Sequence, residues 1–246
     1  MRKFKTFRAG ILATCLVISP ALAAITLHSN GISSPVVNQP TVTLSTVGDS
    51  LIVACASADQ GQGNSQTVSD NRGNTWTRVA SPQRLGSTQI ELWYALVTSA
   101  NASTAVQYSG NFSDLAVATF AGTATSSVTD GAATGATSGF STSIQPGSIT
   151  PSQANGLLAA CWGADPTTGT LAINGSFTIT NSSITGGNTA VGLGYLIQTT
   201  ATAANPTWSG YTITSSLAAM QAFKDPGGGG GTTGGANPTV ISVSSP

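Results

Sequence analysis

Short runs of apolar and β-branched residues recur along this chain, bounded by Gly, Asn, Ser and Pro, and no run carries the 3.6-residue period of a helix. The runs predict strands over Val42–Ser45, Leu51–Ser57, Thr75–Ala80, Gln89–Val97, Ala105–Ser109 and Leu115–Phe120. A second series falls at Gly147–Thr150, Leu157–Trp162, Phe177–Thr180, Ala190–Thr199, Thr207–Tyr211 and Leu217–Phe223. Leu51–Ala56 and Leu157–Trp162 are apolar at every position, which predicts central strands covered on both faces. Within Gln89–Val97 the residues alternate. Ile90, Leu92, Tyr94 and Leu96 form one face, expected to be core, and Glu91 and Trp93 lie on the other.

The two series align with each other. DSLIVACASAD (49–59) matches NGLLAACWGAD (155–165), and Leu92, Tyr94 and Leu96 fall on Leu193, Tyr195 and Ile197. Tyr108-Ser-Gly falls on Trp208-Ser-Gly. The chain therefore reads as an internal duplication with halves at about 35–122 and 141–225, joined by a Thr/Ser/Gly/Ala stretch that crosses between sheets or pads an edge. The expected fold is all-β: one two-sheet antiparallel sandwich over 24–225, jelly-roll-like, built from two pseudo-equivalent halves.

The ends read differently. Arg2, Lys3, Lys5 and Arg8 precede an apolar run and the small-x-small site Ala21-Leu22-Ala23, which predicts a secretory signal peptide over 1–23. Residues 226–236 form a Gly-rich linker, and 237–246 look like the first strand of a further module. Removing the signal leaves four basic residues against eight acidic ones, a net charge of −4 with no basic cluster, which argues against nucleic acid as a partner. No apolar run is long enough to span a membrane.

Cys55 and Cys161 occupy the same position in the two halves. Export permits a disulfide, which requires both to lie beside a pseudo-twofold axis; otherwise they are two small core residues. Gly48-Asp49-Ser50-Leu51 resembles the signature of the GDSL hydrolases, in which the Ser is the nucleophile and a downstream Asp-x-x-His supplies the base. This chain has no Asp-x-x-His, and its one histidine, His28, lies upstream, so the tetrapeptide reads as chance and no catalytic residue is assigned. Ser69-Asp70-Asn71-Arg72-Gly73-Asn74-Thr75-Trp76 resembles the Asp-box of sialidases and other secreted glycan-processing proteins, with Asn71 in the Asp place. The resemblance implies a structural hairpin turn built on Asn71, Gly73, Thr75 and Trp76. The wider pattern is similar to β-sandwich modules of secreted multidomain bacterial proteins, to which it attaches no reaction, and 237–246 resemble the start of an immunoglobulin-like IPT/TIG domain.

Turn aspartates could hold one structural Ca²⁺ ion, though no ligand spacing picks out a site; no other cofactor and no catalytic metal is expected. Comparing the halves isolates Trp93 and Trp162, whose counterparts are Gly194 and Ala56. Each points away from its strand's inferred core face, beside Glu91 or near Asp165. Exposed rings with such neighbours suit sugar stacking; the alternative is that both fill a sheet interface. The functional expectation is a non-catalytic extracellular binding or adhesion module, with a polysaccharide or cell-surface glycan as partner, inside a larger secreted protein. The alternatives are a structural spacer and, behind it, a secreted hydrolase.

Overall fold

A computed structural model describes residues 24–59, 66–165, 167–184 and 189–227. The expected signal peptide and residues 228–246 lie outside these. The described residues form fifteen strands and no helix. The first nine are β1 (Thr26–Val37), β2 (Thr41–Leu44), β3 (Leu51–Asp59), β4 (Val68–Asp70), β5 (Trp76–Arg78), β6 (Gln83–Leu85), β7 (Thr88–Leu96), β8 (Thr104–Tyr108) and β9 (Ser113–Ala121). The remaining six are β10 (Thr134–Ile144), β11 (Leu157–Ala164), β12 (Gly169–Ile173), β13 (Thr178–Ser183), β14 (Ala190–Ile197) and β15 (Trp208–Phe223).

Two antiparallel sheets face each other. Their strand orders are β1-β9-β3-β7-β5, with β6 also on β7, and β10-β15-β11-β14-β13, with β12 also on β15. Among the described residues, each half of the chain keeps to its own sheet. This order lacks the interleaving of strands between sheets that defines a jelly roll. β3 and β11 lie at the centre of their sheets, as their continuous apolar sequences predict. Leu51, Val53 and Cys55 meet Leu157, Ala159 and Cys161 in the core between the sheets. The alternate residues face outward into second cores: Ile52, Ala54, Ala56 and Ala58 on one side, Leu158, Ala160, Trp162 and Ala164 on the other.

Each outward face is roofed. A small sheet, β2-β8-β4, covers the first through Val42, Leu44, Val68, Val106 and Tyr108. In the second half β10 and β15 fold over and make the roof themselves. Ser138 pairs with Ser216 in the main sheet, whereas Ser143 and Ile144 pair with Ser209 and Trp208 in the roof, where β12 joins them. The fold-over needs Gly210: its φ is +84°, and a side chain there would overlap the Thr170 carbonyl.

The halves meet through exchanged contacts. Tyr94 stands edge-on to Phe223 and Tyr195 edge-on to Phe120, each at 5.5 Å between ring centroids. Between these pairs and the opposite end lies a disulfide joining Cys55 and Cys161, with Cα atoms 5.4 Å apart. These reciprocal contacts are the pattern that a dyad between equivalent halves would produce.

The register fixes two ends. Leu27, Phe120, Leu51 and Leu96 lie side by side at what we term the proximal end, as do Phe223, Leu157 and Ile197. The chain enters the fold here at Thr26, paired with Ala121, and leaves here at Lys224, whose carbonyl accepts from Ala124 N–H. The distal end holds Asp59, Thr88, Ser113, Ala164, Ala190 and Ser216. The edge strands β1 and β10 begin well before residues 35 and 141, so each sheet takes in more chain than the aligned halves. The Thr/Ser/Gly stretch between the halves supplies β10, an edge strand.

Candidate functional site

The sequence singled out Glu91 and Trp93 on the outward face of β7. The structure places both under the β2-β8-β4 roof: Glu91 is 2% exposed and Trp93 7%. Opposite them on β3 are only Ala56 and Ala54, so the space beside two alanines is filled by a carboxylate and an indole. The second sheet reverses the arrangement. Trp162 on β11 is fully buried, and its cross-strand partner is Gly192. Its ring packs against Tyr211 and Trp208, at 4.9 and 6.4 Å between centroids. A Cβ on Gly192 would come 2.5 Å from Leu171, and one on Gly194 would come 3.2 Å from Trp208. Neither tryptophan offers a face to a ligand, which corrects the expectation of a sugar-stacking pair. The residues unshared between halves are a large-for-small exchange within two closed cores.

Glu91 is nonetheless the centre of a buried polar group. Trp93 Nε1–H donates to its Oε2 at 2.8 Å, and Arg78 Nη1 lies 3.4 Å from its Oε1. The Arg78 guanidinium also sits 5.3 Å above the Trp93 ring and closes the group from outside. Gln89 Nε2 reaches Glu91, Gln66 and the Tyr108 hydroxyl at 3.4–3.5 Å. Burial raises the Glu91 pKa against the opposing pull of Trp93 and Arg78. Burial, and then the nearby Glu91 charge, push the Tyr108 hydroxyl far up. As partners of Glu91, the residues Arg78, Gln89, Gln66 and Tyr108 escaped the sequence reading. The signal available was Glu91 itself, a lone glutamate on a strand whose neighbours are apolar, which needs partners when buried.

Asp165 lies at the distal end, apart from Trp162. It accepts hydrogen bonds from Ser87, at 2.9 Å, and Thr88 of the other half, so it ties the sheets together. Across the same interface Thr189 donates to the buried Asp114 at 3.0 Å. The predicted binding set of Glu91, Trp93, Trp162 and Asp165 is thus divided among three separate places.

The Asp-box-like segment is a turn between β4 and β5, which pair with β8 and β7 in different sheets and so form no hairpin with each other, and the residue that closes it is Asp70. Its carboxylate accepts from Arg72 N–H at 2.8 Å, from Asn74 N–H at 3.3 Å, from Asn74 Nδ2 at 3.1 Å and from Trp76 Nε1 at 2.8 Å. Asn71 instead accepts from Ala105 N–H, and Asn74 Oδ1 accepts from the backbone N–H groups of Thr98 and Ser99. Gly73 carries the positive φ of +75° that the turn requires. Thr75 lies beside the turn, and Trp76 is half-buried at the edge of the roof core.

The Gly48–Leu51 segment brings a surprise. His28, upstream of the segment in the chain, reaches Asp49 from β1, with Nδ1 3.0 Å from Oδ2. Ser50 is already occupied: its hydroxyl lies 2.7 Å from Thr123 Oγ1, 3.3 Å from the Phe120 carbonyl, and accepts from Thr123 N–H. Among the described residues no hydrogen bond joins His28 to Ser50, so nucleophile and base are not coupled. Among them, too, no three His, Cys, Asp or Glu side chains converge on a metal position, and no helix is long and apolar enough to cross a membrane. No protein-family model matches this sequence, and neither curated proteins nor solved structures give a match.

Proposed function

We propose that the chain is a non-catalytic extracellular module that binds a glycan or other surface and is carried as an appendage of a larger secreted protein. One observation carries this reading: the chain joins the fold and leaves it at the proximal end. A module attached at one end hangs from its neighbours and leaves the other end facing outward. A spacer in a stalk gains length only when its attachment points lie at opposite ends. The polar groups agree with a role without turnover, since Ser50, Asp70, Glu91 and Asp165 are each engaged in holding the scaffold. The buried disulfide agrees with folding in an oxidising, exported environment.

The test is retention of the full chain on insoluble polysaccharides and whole cells, with ester and glycoside hydrolysis measured on the same preparation. Retention without turnover is expected; hydrolysis abolished by Ser50→Ala would replace this reading with an enzyme. The spacer reading draws on the burial of both tryptophans, which removes the ligand face the sequence had offered. Small-angle scattering of the module inserted between two reporter domains separates the two. A separation that grows by the module's full length would favour the spacer.

A further inference from the structure

Three large apolar side chains stand exposed among the described residues: Val47, Phe112 and Phe140. Both phenylalanines lie at the distal end, Phe112 in the connection from roof strand β8 to main-sheet strand β9 and Phe140 where β10 folds from the second main sheet into its roof. Phe112 sits between β8 and β9, with its carbonyl accepting from Asp59 N–H and its N–H donating to Asn38. Phe140 sits in the β10 bulge between the Ser138–Ser216 and Ser141–Thr214 pairs. They are 50% and 81% exposed.

Both also have left-handed backbones, with φ of +45° and +50°. At Phe140 the fold-over accounts for the backbone, because Gly210 takes the same region at the neighbouring corner of β15; at Phe112 the turn from β8 to β9 does so. Neither accounts for the residue. Glycine or asparagine would hold such a corner with less strain, and side chains this exposed gain little from packing. An aromatic ring placed on unfavourable backbone and turned to solvent is explained by something it meets outside the fold.

The surroundings narrow what that is. Asp59, Asp114, Asp165 and Glu91 cluster toward this end, against Arg78 and Arg84. The excess of carboxylates opposes nucleic acid, acidic lipid headgroups and uronic or sialic polymers. Asp114, Asp165 and Glu91 are committed to internal hydrogen bonds, so they bias the field rather than reach out to a cation. What remains exposed at this end is the two rings, and Ser87, Thr168 and Thr212 of the same end also reach the surface, with hydroxyl lone pairs beyond their internal bonds. Rings supply apolar faces for pyranose C–H groups, and hydroxyls exchange hydrogen bonds with sugar hydroxyls.

We propose that the distal end is a binding surface for a neutral polysaccharide, with Phe112 and Phe140 as its stacking residues. This rests on the reading of the chain as a glycan-binding module and moves the contact from Trp93 and Trp162 to the opposite end from the chain's attachment. The experiment is affinity electrophoresis and pull-down of the full chain against cellulose, xylan, β-1,3-glucan and chitin, beside vesicles of neutral phosphatidylcholine. The variants are Phe112→Ala, Phe140→Asn and the double variant, with thermal unfolding measured on each. The expected result is about tenfold weaker binding per ring lost, with thermal stability unchanged in Phe112→Ala and unchanged or higher in Phe140→Asn, where asparagine suits the left-handed backbone. Full polysaccharide binding by the double variant would overturn the distal surface and leave the module reading standing. Binding to vesicles, lost in the same variants, with no polysaccharide binding would overturn the ligand class. A wild-type chain retained by none of these probes, nor by whole cells, would sink the module reading as well.

Discussion

The bond between Cys55 and Cys161 gives the most quantitative test of the architecture. It closes a loop of 106 residues and joins the centres of two sheets that share no strand. In the chain-entropy treatment, a loop of that length restricts the unfolded ensemble by about 16 cal/mol/K, or about 4.8 kcal/mol at 25 °C. That is comparable to the whole stability of many domains. Reduction of the wild-type chain isolates this effect, because both sulfur atoms remain in the core and only the covalent link is lost. With a urea m-value of about 2 kcal/mol/M, the midpoint should fall by about 2.4 M, followed by tryptophan fluorescence. Cys55→Ala/Cys161→Ala should fall further, since it also removes buried volume. Equal midpoints for the oxidised and reduced chains would refute the reasoning. It would mean that the halves are already held together in the unfolded state, or that the link never forms.

Other consequences follow from named contacts. Gly163→Ala should destabilise by about 1–3 kcal/mol in chemical denaturation, because the added carbon would overlap Ile90 Cγ2 and lie 2.9 Å from Ser57 Oγ between the sheets. Asp70→Ala should cost about 2–4 kcal/mol, since it strips the Trp76 indole and two backbone N–H groups of their acceptor at once; an unchanged melting temperature would remove Asp70 from its place at the turn. For Glu91, burial raises the folded pKa above the unfolded one, so the stability linked to its protonated form is complete below about pH 4.3 and is lost as pH rises through the folded pKa. Melting curves of Glu91→Gln across pH 4–7 should lack that decline, and the difference from wild type should grow in favour of the variant with rising pH.

The central strands were legible because burial on both faces leaves no position for a polar residue, and Leu51–Ala56 and Leu157–Trp162 contain none. The meeting of Cys55 and Cys161 was legible as one of two outcomes, since residues matched between the aligned halves would touch only beside an axis. β1 and β10 were not. As edge strands they need few apolar residues, and β10 is written in Ser, Thr, Gly and Ala. The tryptophans misled because each strand was judged alone. Trp162 opposite Gly192 and Trp93 opposite Ala54 are cross-strand partners, and the register that pairs them is a property of the sheet. Asp70 was overlooked for Asn71, its neighbour, because the motif's resemblance pointed to the latter. The salient phenylalanines have no sequence signature at all: their exposure arises from where the strands turn.

The exchanged contacts at the sheet interface bear on what either sheet would do by itself. A polypeptide comprising only residues 24–122, or only 128–225, would expose one apolar wall with a single thiol near its middle. Two identical copies would find in each other the Tyr-to-Phe reciprocity that the intact chain makes internally, and air oxidation would lock them as a covalent homodimer that runs at half its mass only after reduction.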